Sequence, residues 1–207
     1  MFQVMVIDML EGFTRMGPLA SDRVGALLPQ QAAFLQALPP QSLVVFVADE
    51  HDKDDFELKH FPPHCLRGTE EAMLCRELLD AAAQARAQTE IVRKHQFSGF
   101  FNTNLDEIIN AAPPRQWIVF GCVTDCCIEA NIAELVYRRC EVTVIRDLID
   151  TWDMPADIAR NQLTEAHAHD AEKINDEWFN RRLPAIWGVR VVPTWQKLIS
   201  SKIKSKP

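Results

Sequence analysis

Two adjacent cysteines stand out as candidate chemical groups in the sequence. Cys126 and Cys127 end the segment WIVFGCVTDCC, in which an apolar stretch, residues 117–120, is followed by a glycine and a polar turn. The apolar residues predict a strand that is buried on both faces, and Gly121 permits a sharp bend after it. The segment therefore predicts a strand, a turn and a helix that together present a sulfur atom.

The two residues before the cysteines predict where that helix begins. Thr124 and Asp125 are good helix N-cap residues, so we expect Cys126 and Cys127 to lie in the first turn. The positive end of the helix would then lower the pKa of a thiol there and favour the nucleophilic thiolate. The alternative is that the cysteines are merely small buried hydrophobic residues.

Two charged residues follow other predicted strands and favour the catalytic interpretation. Residues 4–7 form an apolar strand that ends at Asp8, and a short strand over residues 90–92 leads to Lys94. Since ligands of open α/β sheets bind at the carboxyl ends of the strands, Asp8, Lys94 and Cys127 can meet there. Lysine supplies the cation that a thiolate needs, and aspartate supplies a base for its proton.

Strand and helix patterns alternate along the whole chain. This alternation predicts a three-layer αβα sandwich with a mostly parallel, about six-stranded sheet. We expect one domain over residues 1–196 and a basic C-terminal tail, residues 197–207, that frays. The predicted strands are residues 4–7, 43–48, 90–92, 117–120, 141–145 and 189–192. The predicted helices are residues 22–38, 70–87, 104–111 and 126–136, and residues 156–183 are expected to form one long helix or two.

The composition excludes some partners and indicates a compartment. The 207 residues include 22 basic and 29 acidic ones, a net charge of −7, so we expect no nucleic acid and no membrane as partners. The first ten residues lack a basic leader, and no apolar run is long enough to span a bilayer. Six scattered cysteines are typical of a reducing cytosol, so we expect a cytoplasmic protein.

Three motifs resemble those of a known family. They are VIDMLEGF around Asp8, VRKHQFSGF around Lys94, and GCVTDCC, which fits the pattern G-x-x-T-D-x-C with Cys127 as the nucleophile. On these motifs, over nearly the whole chain, the protein resembles the isochorismatase-like cysteine hydrolases, and among them the nicotinamidase branch. The match selects Cys127 rather than Cys126 as the reactive residue.

The resemblance implies a reaction and the backbone groups that assist it. It implies hydrolysis of nicotinamide to nicotinate and ammonia through a thioester on Cys127, with Asp8 moving the protons. It also implies a cis peptide bond between Cys122 and Val123. By the same analogy, the backbone N–H groups of Val123 and Cys127 form the oxyanion hole.

The resemblance further implies a divalent metal site. Asp49 and His51 match the family pattern D-x-H, and His64 matches the histidine of a W-P-x-H-C-like segment, here FPPHC. For the remaining ligand we choose Glu57, which lies seven residues before His64, over Asp55. These ligands suit Zn²⁺, with Mn²⁺ or Fe²⁺ as alternatives, and the family uses the ion to hold a pyridine ring nitrogen.

Aromatic side chains are the expected walls of the substrate pocket. Phe13 and Phe61 occupy positions that the family gives to residues contacting the ring, and Phe97 and Phe100 are further candidates. Phe61 replaces a tryptophan, and Phe97 a tyrosine, that are common in relatives. These replacements leave the substrate open.

Several alternatives and minor features complete the sequence-based predictions. The alternatives are a hydrolase of another small amide, a non-catalytic thiol module for binding or redox sensing, and direct hydrolysis by a metal hydroxide. Self-association is expected because relatives commonly form oligomers. His167 and His169 lie two residues apart on a predicted helix and make a poor metal pair, while Asp147 is expected to cap a helix or support the site.

Overall fold

Six parallel strands form one sheet at the centre of the protein. The computed structural model describes residues 2–154 and 169–204. The strand order is β3-β2-β1-β4-β5-β6, and every neighbouring pair is parallel. Helices flank the sheet, which confirms the predicted fold class. The strands are β1 Gln3–Ile7, β2 Leu43–Asp49, β3 Gln88–Lys94, β4 Gln116–Cys122, β5 Glu141–Asp150 and β6 Arg190–Val192.

Two of the predicted helices are shorter in the structure than in the prediction. Residues 22–38 form two helices rather than one, because Pro29, in the first turn of the second helix, lacks the N–H group that a helix interior needs. Residues 70–87 form a 3₁₀ turn, Glu70–Ala72, before the helix itself begins. The helices of this half are α1 Glu11–Thr14, α2 Asp22–Gly25, α3 Leu28–Gln36, α4 Arg76–Gln84 and α5 Leu105–Ala111.

The C-terminal third also differs from the prediction. Residues 156–168 of the predicted helix 156–183 lie outside the described residues, and the rest form a short α-helix that continues as a π-helical segment, Trp178–Trp187. The predicted fraying tail is helical as far as Lys204, and Leu198 in it is buried against the core. The helices after β4 are α6 Glu129–Tyr137, α7 Ala171–Glu177 and α8 Trp195–Lys204.

Strand β5 is twice as long as predicted, which changes the surroundings of the site. It runs on to Asp150 after an irregular stretch, so that Asp147 lies inside the strand instead of after it. The end of β5 pairs with the end of β4, with Asp150 beside Cys122. The residues that follow β5 are therefore at the same edge of the sheet as the cysteines.

Gly121 is required where β4 meets β1. Its φ is +129°, and a Cβ atom at this position would lie 2.0 Å from the carbonyl oxygen of Ile7. The absence of a side chain therefore lets the ends of the two central strands approach each other. Among the described residues, no helix has both the length and the apolar composition needed to cross a bilayer.

Candidate active site

The three predicted catalytic residues meet at the carboxyl edge of the sheet. The Nζ atom of Lys94, at the end of β3, lies 2.8 Å from Oδ2 of Asp8 and donates a hydrogen bond to Sγ of Cys127 at 3.5 Å. It also donates a hydrogen bond to Oδ1 of Asp49, the residue that ends β2 between them. Lys94 is fully buried, so these partners replace water around its charge.

Asp8 is held in a fixed orientation directly after β1. Its φ is +51°, a left-handed conformation that aspartate tolerates better than most residues do. Oδ1 accepts a hydrogen bond from the backbone N–H of Asp49 at 2.9 Å, while Oδ2 faces Lys94. Burial, together with the nearby carboxylate of Asp49, raises the pKa of Asp8 to about 7, although Lys94 opposes the shift. A carboxyl group with this pKa can both accept and return a proton near neutral pH.

Cys127 lies in a π-helical turn, Thr124–Ile128, that precedes α6. The prediction that Thr124 and Asp125 cap this helix is wrong, because the turn already begins at Thr124 and its N-cap residue is Val123. Thr124 Oγ1 instead donates to Oδ1 of Asn175 in α7 at 2.6 Å. Thr124 thus connects the turn to α7.

The predicted lowering of the pKa of Cys127 is also wrong. Burial raises the pKa of this thiol well above its ordinary value; Lys94 lowers it, and the carboxylates of Asp8 and Asp49 raise it further. In this environment the free thiol keeps its proton. Its sulfur, an oxygen of Asp8 and an oxygen of Asp49 lie within 4.8 Å of one another, so a carboxylate is near enough to receive that proton during attack.

The backbone beside the cysteine has the predicted special geometry. The peptide bond between Cys122 and Val123 is cis. Val123 and Cys127 both line the cavity above the sheet, where the predicted oxyanion hole would be.

A second buried group of side chains shares Asp49 with the catalytic group and consists of Asp49, His51, Glu57 and His64. Each residue offers one candidate ligand atom, and these atoms lie within 4.8 Å of one another. Oδ2 of Asp49 is 3.7 Å from Nε2 of His51 and 3.9 Å from Nε2 of His64. Oε1 of Glu57 is 3.9 Å and 4.0 Å from the same two nitrogens. All four residues are buried.

This group fits a divalent metal ion. Nε2 of His51 and Oε2 of Glu57 are buried and lack a hydrogen-bond partner in the described part of the chain. The other ring nitrogens are occupied: His51 Nδ1 lies 3.1 Å from Oδ2 of Asp55, and His64 Nδ1 lies 2.8 Å from the carbonyl oxygen of Pro62. Such contacts orient histidines at metal sites. Asp55 lies behind His51, while Glu57 faces the centre of the group.

The cavity above both groups has a volume of about 830 Å³. Phe13, Phe61 and Phe97 line it, and the ring centroids of Phe13 and Phe61 lie 5.7 Å and 6.3 Å from that of His64. Phe100, the fourth predicted contact residue, is not part of the lining. The guanidinium group of Arg138 covers its ring at 4.1 Å instead.

Other residues of the cavity were not predicted as site residues. Trp152 and His169 line it together with Arg23 and Cys126. A correct end for β5 at Asp150 would have indicated Trp152, since residues just after parallel strands face this edge. His169 carries no local signal, His167 lies outside the described residues, and Asp147 lines a separate groove.

Comparisons with known proteins identify the family of the chain. A family model described as the isochorismatase domain matches residues 3–172. Over 58 residues, 28% of this chain and 23% of the relative, the protein is 34% identical to a ureidoacrylate amidohydrolase from Acinetobacter baylyi, so the match spans about a quarter of that enzyme. Over 156 residues, 70% of this chain and 78% of the relative, it is 26% identical to a probable inactive nicotinamidase from Arabidopsis thaliana.

Solved structures show the same fold. An N-carbamoylsarcosine amidase from Thermoplasma acidophilum superposes with a TM-score of 0.70 at 22% identity, covering 92% of this chain and 95% of that one. A nicotinamidase from Bacillus subtilis superposes with a TM-score of 0.69 at 20% identity, covering 92% and 98%. Since the family model covers most of the sequence, the protein belongs to the isochorismatase family.

Proposed function

We propose that the protein is an amidohydrolase that converts nicotinamide to nicotinate and ammonia through a thioester on Cys127. The observation that carries this proposal is the position of Asp49. One oxygen of its carboxylate binds Lys94 in the catalytic group, and the other faces His51 in the metal-binding group. The catalytic group and the metal-binding group are therefore adjacent. A small ring that carries both a nitrogen and an amide requires two such adjacent groups.

The chemistry of the thioester follows from the catalytic group. Sγ of Cys127 attacks the amide carbon, and its proton passes to Asp8. The carbon–nitrogen bond breaks as Asp8 returns the proton to the leaving ammonia. Asp8 then takes a proton from the water that attacks the thioester, and the thiol is regenerated as the carboxylic acid leaves.

Two further kinds of group stabilise the charges that develop during the reaction. The ammonium group of Lys94 stabilises the negative charge of the sulfur when the thiol loses its proton. The N–H groups of Val123 and Cys127 donate to the oxyanion, and one such donor is worth about 10²–10³ in kcat.

The metal-binding group would determine which amide enters. Asp49, His51, Glu57 and His64 would hold the ion, with Asp55 orienting His51. A bound Zn²⁺, Mn²⁺ or Fe²⁺ ion supplies a Lewis acid for the pyridine nitrogen. Phe13, Phe61 and Phe97 provide apolar walls for a flat ring.

Another small amide is the second candidate substrate, and the cavity has room for one of a different shape. Pockets of roughly 300–1,000 Å³ hold drug-sized ligands, and this cavity of about 830 Å³ exceeds what one small ring needs. Two of the similar proteins carry the names of a ureidoacrylate amidohydrolase and an N-carbamoylsarcosine amidase. Their names indicate linear amides rather than pyridines.

A thiol sensor is disfavoured by the state of Cys127. Redox-sensing cysteines are thiolates exposed to solvent, whereas Cys127 is buried and its pKa is raised. Direct attack by a metal hydroxide is the remaining alternative, and it does not require Cys127.

The test is ammonia release from nicotinamide by the purified protein, with and without chelation and metal add-back. Cys127→Ala should abolish turnover, whereas the matched control Cys140→Ala, in a separate cavity at the opposite edge of the sheet, should retain it. Full turnover by Cys127→Ala would exclude the thioester. If nicotinamide stays inert while other small amides react, only the substrate assignment fails. A cytoplasmic location and self-association stay predictions.

A further inference from the structure

Asp125 connects the nucleophile-bearing turn to residues outside it. This residue lies two positions before Cys127, and both oxygens of its carboxylate are engaged. Oδ1 accepts a hydrogen bond from Oγ1 of Thr151 at 3.0 Å, and Oδ2 lies 3.0 Å from Nε2 of His169. Thr151 directly follows β5 and is fully buried. The orientation of the turn therefore depends on contacts made far along the chain.

His169 lies farther from Asp125 along the sequence than Thr151 does, and both of its ring nitrogens have partners. Nδ1 lies 2.7 Å from the carbonyl oxygen of Trp152, while Nε2 faces the carboxylate of Asp125. Both neighbours are acceptors, so a hydrogen on each ring nitrogen would satisfy both contacts. Burial alone would lower the pKa of His169, but the bond to Asp125 and the charge of nearby Asp153 raise it.

The backbone and the ring of His169 are also fixed. Its N–H and C=O groups pair with those of Met154 at 3.0 Å and 2.7 Å. Its ring stacks on the indole of Trp152, with centroids 3.8 Å apart and an interplanar angle of 9°. His169 is therefore a rigid support for Asp125, not a loosely held surface residue.

We propose that His169 is a positioning residue that acts through Asp125 to hold the turn carrying Cys127 in its reactive orientation. The proposal rests on the proposed amide hydrolysis. The turn contains the attacking sulfur and one of the two oxyanion donors, and the other donor, Val123, directly precedes it. A small rotation of this turn moves all three relative to Asp8 and Lys94, and a misplacement of about 1 Å can cost 10²-fold in rate.

A second contact keeps the turn folded when His169 is replaced. Oγ1 of Thr124 donates to Oδ1 of Asn175, whose Nδ2 donates to Oδ1 of Asp150 at 2.7 Å. This contact does not involve His169 or Asp125. Replacement of His169 should therefore loosen the turn without unfolding it.

The experiment combines kinetics with hydrogen exchange of the turn in the full-length protein. For His169→Ala we expect kcat to fall roughly 10–100-fold, with KM within about threefold of the original, because a residue that only positions the turn does not change ground-state binding. Amides of residues 124–128 should exchange faster, while the rest of the protein stays folded. His169→Gln, which keeps one donor for Asp125, should recover part of kcat. The matched control is His95→Gln, a histidine outside the cavity.

A double-mutant cycle with Asp125→Asn tests whether the pair acts as a unit. The double variant should lose no more kcat than the more impaired single variant. Multiplicative losses would overturn the proposal, and so would a rise in KM at constant kcat, which would indicate direct contact with the substrate. Hydrogen exchange of the turn that does not change would also overturn it. If the unmodified protein hydrolyses no amide, the proposed function fails, while hydrogen exchange still tests the role of His169.

Discussion

Replacement of Lys94 by methionine should separate the structural role of its charge from its catalytic role. Methionine keeps most of the length of the side chain and removes the charge. In the structure the ammonium group is fully buried and lies against Asp8, Asp49 and Cys127. Lys94→Met therefore leaves two carboxyl groups facing each other in the interior without a cation. The reaction also loses the group that stabilises the thiolate.

The size of the expected effect follows from that burial. Removing one partner of a buried ion pair typically costs about 3–5 kcal/mol, because the remaining charge is left without compensation. A chain of this length shifts its melting temperature by about 2–4 °C per kcal/mol, so we expect a fall of roughly 6–20 °C. This loss is a large part of the total stability, which is about 5–15 kcal/mol for most proteins.

Denaturant unfolding of the chelated protein measures the change, since a bound ion at Asp49 would stabilise the folded state by itself. The double variant Lys94→Met/Asp8→Asn should regain part of the lost stability, because one unpaired carboxyl group is gone, but it should remain inactive. Stability within about 1 kcal/mol of the original for the single variant would refute the argument. That result would mean that the two carboxyl groups need no cation, contrary to the burial that the structure shows.

Two other predictions concern the metal group and the central strands. Added Zn²⁺ should raise the melting temperature of the chelated protein and of Asp55→Asn, which keeps the side chain behind His51. It should not raise that of His64→Gln, which lacks a candidate ligand. Equal shifts in all three proteins would exclude the proposed metal ligands. Gly121→Ala should prevent native folding, because its Cβ would meet the carbonyl oxygen of Ile7 at 2.0 Å, and a native near-ultraviolet dichroism spectrum would contradict that clash.

The strand ends were the most predictable part of the protein. An apolar run before Asp8 and a short strand pattern before Lys94 indicated two strands, and parallel strands place their carboxyl ends at one edge of a sheet. That rule brought together residues more than eighty positions apart. The same rule failed at β5, because an irregular pairing with β4 separates its apolar beginning from its end at Asp150. The apolar pattern of β5 ends at the irregularity although the strand continues, so the residues after Asp150 were not predicted as site residues.

The charge state of the cysteine could not be predicted from its place at the start of a helix. The helix dipole is a modest effect that acts near the helix end, whereas full burial of a thiol strongly disfavours the thiolate. Burial depends on the side chains that the whole sheet edge brings over Cys127, and no local pattern reports it. The resting site is consequently a neutral thiol beside Asp8, which makes proton transfer part of the attack.

Asp49 belongs to both the catalytic group and the metal group, so its mutation cannot distinguish their roles. Burial alone would raise the pKa of this carboxyl group, but Lys94 and the two neighbouring histidines lower it well below its usual range. One oxygen holds Lys94 and the other belongs to the metal group, so any substitution of Asp49 should damage both at once. Asp8 and Glu57 each lie in one group only. Substitutions at those two residues, not at Asp49, can therefore show whether a loss of turnover arises from proton transfer or from substrate binding.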